Sequence, residues 1–394
     1  MNISPYYMVE VAPKFTATIK DKNIFRHCKT PHPELKICVI VPAKNEEYSI
    51  ADTLEALRNQ FDNTGKRLDY YKYEVLLLAN NCDDKTFEKA KEYSLKYPEF
   101  NLNVTSVKLP SKKANIGYVR RILMDEAFTR LSLHGLQNGI IASTDGDTMV
   151  DKHWVSNIIN EIAMGSDAVG GRILTNTINH DARLYYLRDV TYRLLLAKAS
   201  SFIDPEKNNP WPCHHQYFGA SLAVTCAMYN NCGRLPMVPY LEDMAFFNSL
   251  VKVDAKIRCS PFVKVYTSSR MDGRVEIGFS EQLQKWADNT NENVPQMVEN
   301  VEASLLKLKC KNALRGCFEN STMVIPLKDQ LKEIATHLMI NHKWLCRELV
   351  NATYFGGLWQ KTEDAISRGD FYENYSAAHI TTAISDLRRF LRNY

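Results

Sequence analysis

The sequence has 394 residues, 45% of them hydrophobic and 24% charged, with 49 Lys and Arg against 45 Asp and Glu for a formal net charge of +4. That length is enough to bury a sizeable core in one large or two ordinary domains. So small a charge excess, with no long basic block, argues against a nucleic-acid partner. The ten cysteines form no CxxC pair, which predicts reduced, structural thiols and a cytoplasmic protein. The opening MNISPYYMVEVAPK lacks the pattern of a secretory signal. The longest apolar run, 218–229, falls short of the roughly 18–20 residues of a membrane span, so no transmembrane segment is expected.

A polar lead-in, 1–35, carries Pro31 and Pro33. Lys36–Val41 (KICVIV) reads as a central strand apolar on both faces. Pro42 ends it, and a helix is expected to about Gln60, with Glu46 and Glu47 suited to its first turn. Tyr73–Ala79 (YEVLLLA) is a second strand, and the following helix, from about Asp84 to Tyr97, has Asp83 or Asp84 as its N-cap. A third strand is expected at Asn103–Lys108, then a loop and a long helix over Ser111–Leu131 with Ile116, Val119, Leu123 and Ala127 on one stripe. A short apolar run, Ile140–Ala142, leads to Asp145-Gly146-Asp147, a helix at 152–164 and a strand at Asp167–Ile173. This alternation predicts an α/β fold with a mostly parallel sheet covered on both faces. Beyond it come a helix at Asp181–Phe202, an ordered loop at Asn208–Gly219 and a helix at Leu241–Val253. One or two short strands are expected within Ile257–Thr267, then helical patterns at 278–290, 297–309, 327–353 and 374–392.

Three strand ends should border one crevice: Pro42–Glu46, Asn80–Asp84 and Asp145–Asp147. Two carboxylates held together, as in Asp145 and Asp147, repel unless a cation or water separates them. A hard divalent ion takes few carboxylates and completes its shell with phosphate oxygens and water. Asp-Gly-Asp is also an ordinary solvated turn. No G-x-G-x-x-G and no P-loop follows the first strand, so a nucleotide would be held by side chains and a metal.

Taken in order, IVPAKNEE, LLLANNCDDKT, NIGYVRR, STDGDT and YLED resemble the inverting glycosyltransferases of family 2, over roughly residues 36–280. The resemblance implies a GT-A-type fold, doubly wound with a mostly parallel sheet; it does not cover the helical C-terminal extension, which is read from the pattern beyond it. The chain then divides into a lead-in (1–35), a catalytic domain (36–277; donor half 36–150, acceptor half 151–277) and the extension (278–394). It implies a nucleotide-diphospho-sugar donor and a divalent metal, Mg²⁺ or Mn²⁺. Pro42, Ala43 and Glu46 would line the nucleoside pocket. Asn80 stands where the family has an Asp, which leaves the nucleoside open, and Asp84 matches the second acidic position. Asp145 and Asp147 match the metal motif, with Asp147 favoured as direct ligand, and Asp243 matches the catalytic base.

Arg120 and Arg121, with Lys112 and Lys113, read either as donor-phosphate contacts or as a solvated helix face. Arg270 and Arg274 around Gly273 suggest a segment that closes over the phosphates. His214, His215 and Glu242 are acceptor-side candidates, although adjacent histidines in such a loop are more often turn-packing or surface groups than contacts to a metal or acceptor. The acceptor is an unknown glycan, lipid or small molecule. A sugar nucleotidyltransferase and a catalytically silent nucleotide- or glycan-binding module are the rival readings.

Overall fold

Every position of Ile37–Ala43 is buried, as a strand covered on both faces must be. The computed structural model describes residues 24–133, 135, 139–175, 180–268, 279–320 and 327–393. Its main sheet is built from β1 (Ile37–Ala43), β2 (Tyr73–Asn80), β3 (Leu102–Val107), β4 (Ile140–Ser143), β5 (Thr148–Val150), β6 (Ala168–Thr175), β7 (Leu222–Thr225) and β8 (Ile257–Thr267). Among the described residues the strand order is β3-β2-β1-β4-β7-β6-β8-β5. The β3-β2-β1-β4 half is parallel throughout, and β6 pairs β8 in parallel. β7 runs antiparallel to both neighbours, and β5 runs antiparallel to β8.

The helices of this part are α1 (Ile50–Arg58), α2 (Thr86–Lys96), α3 (Ile116–Ser132), α4 (Trp154–Ala163), α5 (His180–Ile203), α6 (Cys226–Asn231) and α7 (Glu242–Lys252). The two-residue period of a strand sends alternate side chains to opposite faces. Ile37, Val39 and Val41 join Leu54 of α1 and Trp154 of α4 on one face. Cys38 and Ile40 join Val119 and Leu123 of α3 and Phe246 of α7 on the other.

The extension comprises α8 (Phe279–Asn291), α9 (Val301–Glu319), α10 (Leu327–His337), α11 (His342–Asn351), α12 (Phe355–Arg368), α13 (Phe371–Asn374) and α14 (Ile380–Leu391). A small ribbon of β9 (Met297–Val298) and β10 (Ala378–His379) joins them. Leu314, Leu345, Trp359 and Phe371 form a core of their own, while α14 lays Ile380, Ala383 and Leu387 on Tyr192 and Ala199 of α5. α12 presses on the end of α7 so closely that a Cβ on Gly356 would lie 1.8 Å from the Val251 carbonyl. The Asp254 carboxylate then accepts the Phe355 and Gly356 N–H groups at 2.7 and 2.6 Å, capping α12.

Several elements differ from expectation. α1 begins at Ile50, so Glu46 and Glu47 lie in a loop rather than a helical turn; Asn45 is left-handed there (φ 55°) and turns the chain first. β5 and β7 were not expected, because three- and four-residue strands inside longer apolar or polar runs carry no period of their own. The pattern at 327–353 is two helices, parted where Met339 takes a positive φ and Asn341 caps Trp344. α12 is a further helix that the sequence pattern does not announce.

Candidate active site

β1 and β4 lie side by side and parallel, yet the chain leaves β1 through α1 for β2 on the far side. The strand order therefore reverses between β1 and β4, and a crevice opens there beyond their carboxyl ends. Gly146 brings the two ends together: a Cβ on it would lie 3.1 Å from Glu46 Cγ and 3.2 Å from Ala43 Cβ. Thr53 of α1 fixes the turn by donating to the Gly146 carbonyl at 3.0 Å. Pro42 and Ala43 are buried and Glu46 nearly so, its carboxylate accepting the Ser49 hydroxyl at 2.7 Å.

The loops after β1 and β2 are clamped to each other. Asp84 accepts the Glu47 N–H at 3.0 Å, the Thr86 N–H at 3.0 Å and the Thr86 hydroxyl at 2.5 Å. Thr86 Oγ1 accepts the Glu46 N–H at 2.6 Å, and Asn45 Oδ1 accepts the Asp83 N–H at 2.9 Å. Asp84 thus serves the start of α2 as expected of a cap, although Lys85 occupies the cap position. Asn80 ends β2 buried.

Arg120 sits where the acidic residues converge. It lies on the buried side of α3 and is 4% exposed. Nη2 donates to Asp145 Oδ1 at 2.5 Å, Nη1 donates to Glu242 Oε1, and Nε is buried without a hydrogen-bond partner. Asp145 is raised to about 6: enclosure in the crevice disfavours its charge, Arg120 favours it, and Asp147, Asp243 and Glu46 oppose it in turn. Its side chain still has 35% of its surface open, so the carboxylate is enclosed but reachable. Burial also raises Glu242, against the pull of Arg120 and with repulsion from Asp243.

Leu241 precedes α7 in the left-handed region (φ 55°), a conformation that costs an L-residue about 1–2 kcal/mol. The turn sets the first helical residues in the crevice. Asp243 Oδ2 accepts the Gly219 N–H at 2.9 Å and Oδ1 its neighbour Met244 N–H at 2.7 Å. A carboxylate has about four acceptor sites, so two remain. Gly219 is itself pressed against Arg120: a Cβ there would be 2.0 Å from Nη1 and 2.4 Å from Cζ.

Two expected contacts are corrected by this arrangement. Glu242 does not face an acceptor; it is 3% exposed and closes on Arg120. Arg121 does not reach the crevice: Nε donates to Asp125 at 2.7 Å and Nη1 to the Leu235 carbonyl at 2.6 Å, tying α3 to the chain before α7. The stripe through Ile116, Leu123 and Ala127 falls on 120 rather than 121 at helical spacing, a signal present in the sequence. Gly219 had no such signal.

The histidines lie in a loop pressed on β6, where a Cβ on Gly170 would be 2.6 Å from the Gln216 carbonyl. His214 Nδ1 accepts the Gln216 N–H at 3.0 Å, so Nε2 carries the proton donated to the Ser260 carbonyl at 3.0 Å. Burial lowers His214 to about 4 and His215 to about 3, the latter with Arg193, His214 and Arg172 adding to the effect. Both are neutral near pH 7. His214 serves packing; the buried Nδ1 of His215 has no hydrogen-bond partner.

Asp145 faces the repulsion of three carboxylates and the attraction of one guanidinium, an excess of negative charge that suits a cation. Asp147 accepts the Ser268 hydroxyl at 2.6 Å, at the end of β8. Among the described residues no three His, Cys, Asp or Glu side chains group as a ligand set. An ion that takes one or two carboxylates and leaves the rest of its shell to phosphates and water needs no such set. Arg270, Gly273 and Arg274 lie outside the described residues. No helix among the described residues is long and apolar enough to cross a membrane.

The model of the family described as glycosyl transferase family 2 matches residues 38–220. A dolichol-phosphate mannosyltransferase of Pyrococcus furiosus is 28% identical over 139 residues, which is 35% of this chain and 33% of the relative. The glycosyltransferase AglE of Haloferax volcanii is 25% identical over 138 residues, 35% of this chain and 39% of AglE. The match thus spans under half the length of either relative. Among solved structures, the mannosyltransferase PcManGT from Pyrobaculum calidifontis, in complex with GDP-Man and Mn²⁺, aligns over 91% of this chain and 86% of its own at 15% identity and a TM-score of 0.42.

Proposed function

We propose, from the premise that residues 38–220 belong to glycosyl transferase family 2, that the protein transfers a sugar from a nucleotide-diphospho-sugar to an acceptor hydroxyl with inversion. The observation that carries this reading is that Arg120 binds both Asp145 and Glu242, the neighbour of Asp243, so that Asp243 lies in the field of the same buried guanidinium at the switch point of the sheet. Asp243 is the base: it takes the acceptor hydroxyl's proton as that oxygen bonds to the anomeric carbon and the bond to the diphosphate oxygen breaks. General-base assistance of this kind contributes about 10²–10⁴-fold. The Gly219 and Met244 N–H groups hold the carboxylate in one orientation while leaving acceptor sites for that proton.

Asp145 and Asp147 would hold a divalent cation, Mg²⁺ or Mn²⁺, and when bound it supplies positive charge to the departing diphosphate. Pro42, Ala43, Glu46 and Asn80 would line the nucleoside side, with Asp84 shaping that wall from behind. We place the activity in the cytoplasm, where nucleotide-sugar donors and reduced thiols coincide; none of the ten cysteines, all among the described residues, is in a disulfide. The deciding experiment is a panel of UDP- and GDP-sugars assayed for nucleoside diphosphate release, with and without Mn²⁺, in wild type and Asp243→Asn. Release lost in the variant but not the wild type supports the reading. Metal-independent release would remove the cation from it, and no release from any donor with a broad set of acceptor hydroxyls would favour a silent binding module.

A further inference from the structure

We propose that Arg120 is the positioning residue of this transfer: forked between Asp145 and Glu242 and pressed on Gly219, it fixes the base-bearing end of α7 against the cation-binding end of β4. The claim rests on the reading of Asp243 as base. Three contacts carry it. Nη2 holds Asp145 at 2.5 Å, two residues from Asp147. Nη1 holds Glu242, the first residue of α7 and the neighbour of Asp243. The guanidinium also fills the space where Gly219 would carry a Cβ, and the Gly219 N–H grips Asp243 Oδ2 at 2.9 Å. Arg120 therefore reaches the base by two routes, through the helix backbone and through the glycine amide.

Two other roles fit less well. A phosphate ligand needs donors that a bound anion can reach, but Arg120 is 4% exposed, each terminal nitrogen is turned to a carboxylate and Nε is buried. A merely stabilising ion pair is poorly supported because a buried pair roughly breaks even against apolar replacements of similar size. Lysine could not substitute, since a single ammonium lacks the planar fork that spans two carboxylates.

The test uses the full chain with Arg120→Met, with Gly219→Ala, which drives a methyl into the guanidinium, and with Arg120→Met/Glu242→Leu should the first variant fold poorly. Hydrogen exchange at the Gly219 amide and over residues 242–246 should quicken at least about tenfold, with exchange in β1 and β2 unchanged. With the donor selected by the panel, kcat should fall about 10²-fold while donor KM moves less than about threefold. Unchanged exchange at Gly219 and the start of α7 would overturn the proposal, as would weakened GDP and UDP binding with kcat preserved, which would make Arg120 a phosphate ligand. A wild type that turns over no donor defeats the transferase reading alone; hydrogen exchange then still decides whether Arg120 positions α7.

Discussion

Two acidic residues in this crevice have opposite circumstances. Asp84 accepts two backbone N–H groups and a hydroxyl, so its charge is met by fixed dipoles and serves to lock one loop to another. Asp145 shares its one guanidinium with Glu242 and stands among Asp147, Asp243 and Glu46, so that its own ionisation is opposed. A polar group with its hydrogen bonds complete is scaffold, whereas one held against unfavourable charge is available for chemistry. The motif resemblance assigns both residues to the donor side; only their surroundings separate them.

The largest effect should come from Asp243, on the crowded side. Asp243→Asn keeps the size and loses the proton acceptor, so kcat should drop by about 10²-fold or more with donor affinity nearly unchanged; weakened donor binding with full turnover would break the assignment. Asp147→Asn should remove most metal-assisted donor binding while the melting profile is retained, checked by titrating Mn²⁺ and nucleotide together.

Acidification separates the two sides further. A cation needs Asp145 unprotonated, so Mn²⁺ binding should weaken as pH falls through about 6. The histidines act on stability instead. Folded His214 and His215 titrate at about 4 and about 3, below the unfolded value of about 6.5, so the unfolded chain binds more protons in between. Their contribution is complete above about pH 6.5 and is lost as pH falls toward about 4 for His214 and about 3 for His215, and His214→Gln should flatten the first part of a urea-unfolding pH series. On the satisfied side, Asp84→Ala should cost about 1–3 kcal/mol of stability by orphaning its donors, with a smaller change in kcat. Loss of donor binding at full stability would make Asp84 a ligand after all. Smallest of all, Arg121→Met should lower stability by about 1 kcal/mol and leave donor KM unaltered.

Much of this was legible in the residues. KICVIV and YEVLLLA announce strands covered on both faces, and the Asp-Gly-Asp turn at the end of β4 announces a tight approach of charged groups. What spacing could not show is who meets whom: Arg120 and Glu242 are 122 positions apart, and no local period links a helix in the donor half to the start of α7. Glu242 and Asp243 look alike in sequence, yet one turns to the buried guanidinium and the other to a glycine amide. β7 escaped notice because its four residues lie in an apolar run that a buried helix would share.

The seating of α14 on α5 has a consequence for how the molecule is made. Tyr192 and Ala199, with Leu195 and Leu196 beside them, find cover in Ile380, Ala383, Ile384 and Leu387, residues translated long after α5. At about 5–20 residues per second, the stretch from Ile203 to Ile380 takes on the order of ten seconds or more to synthesise. Until α14 emerges this flank of α5 has cover only from Val298, Val301 and Leu305 around the start of α9. The sheet can zip from nearby strands, but this flank must wait for a partner that closes a long loop, which slows folding. The same stretch would therefore be where a chaperone engages the newborn protein, and where aggregation would begin if α14 were weakened.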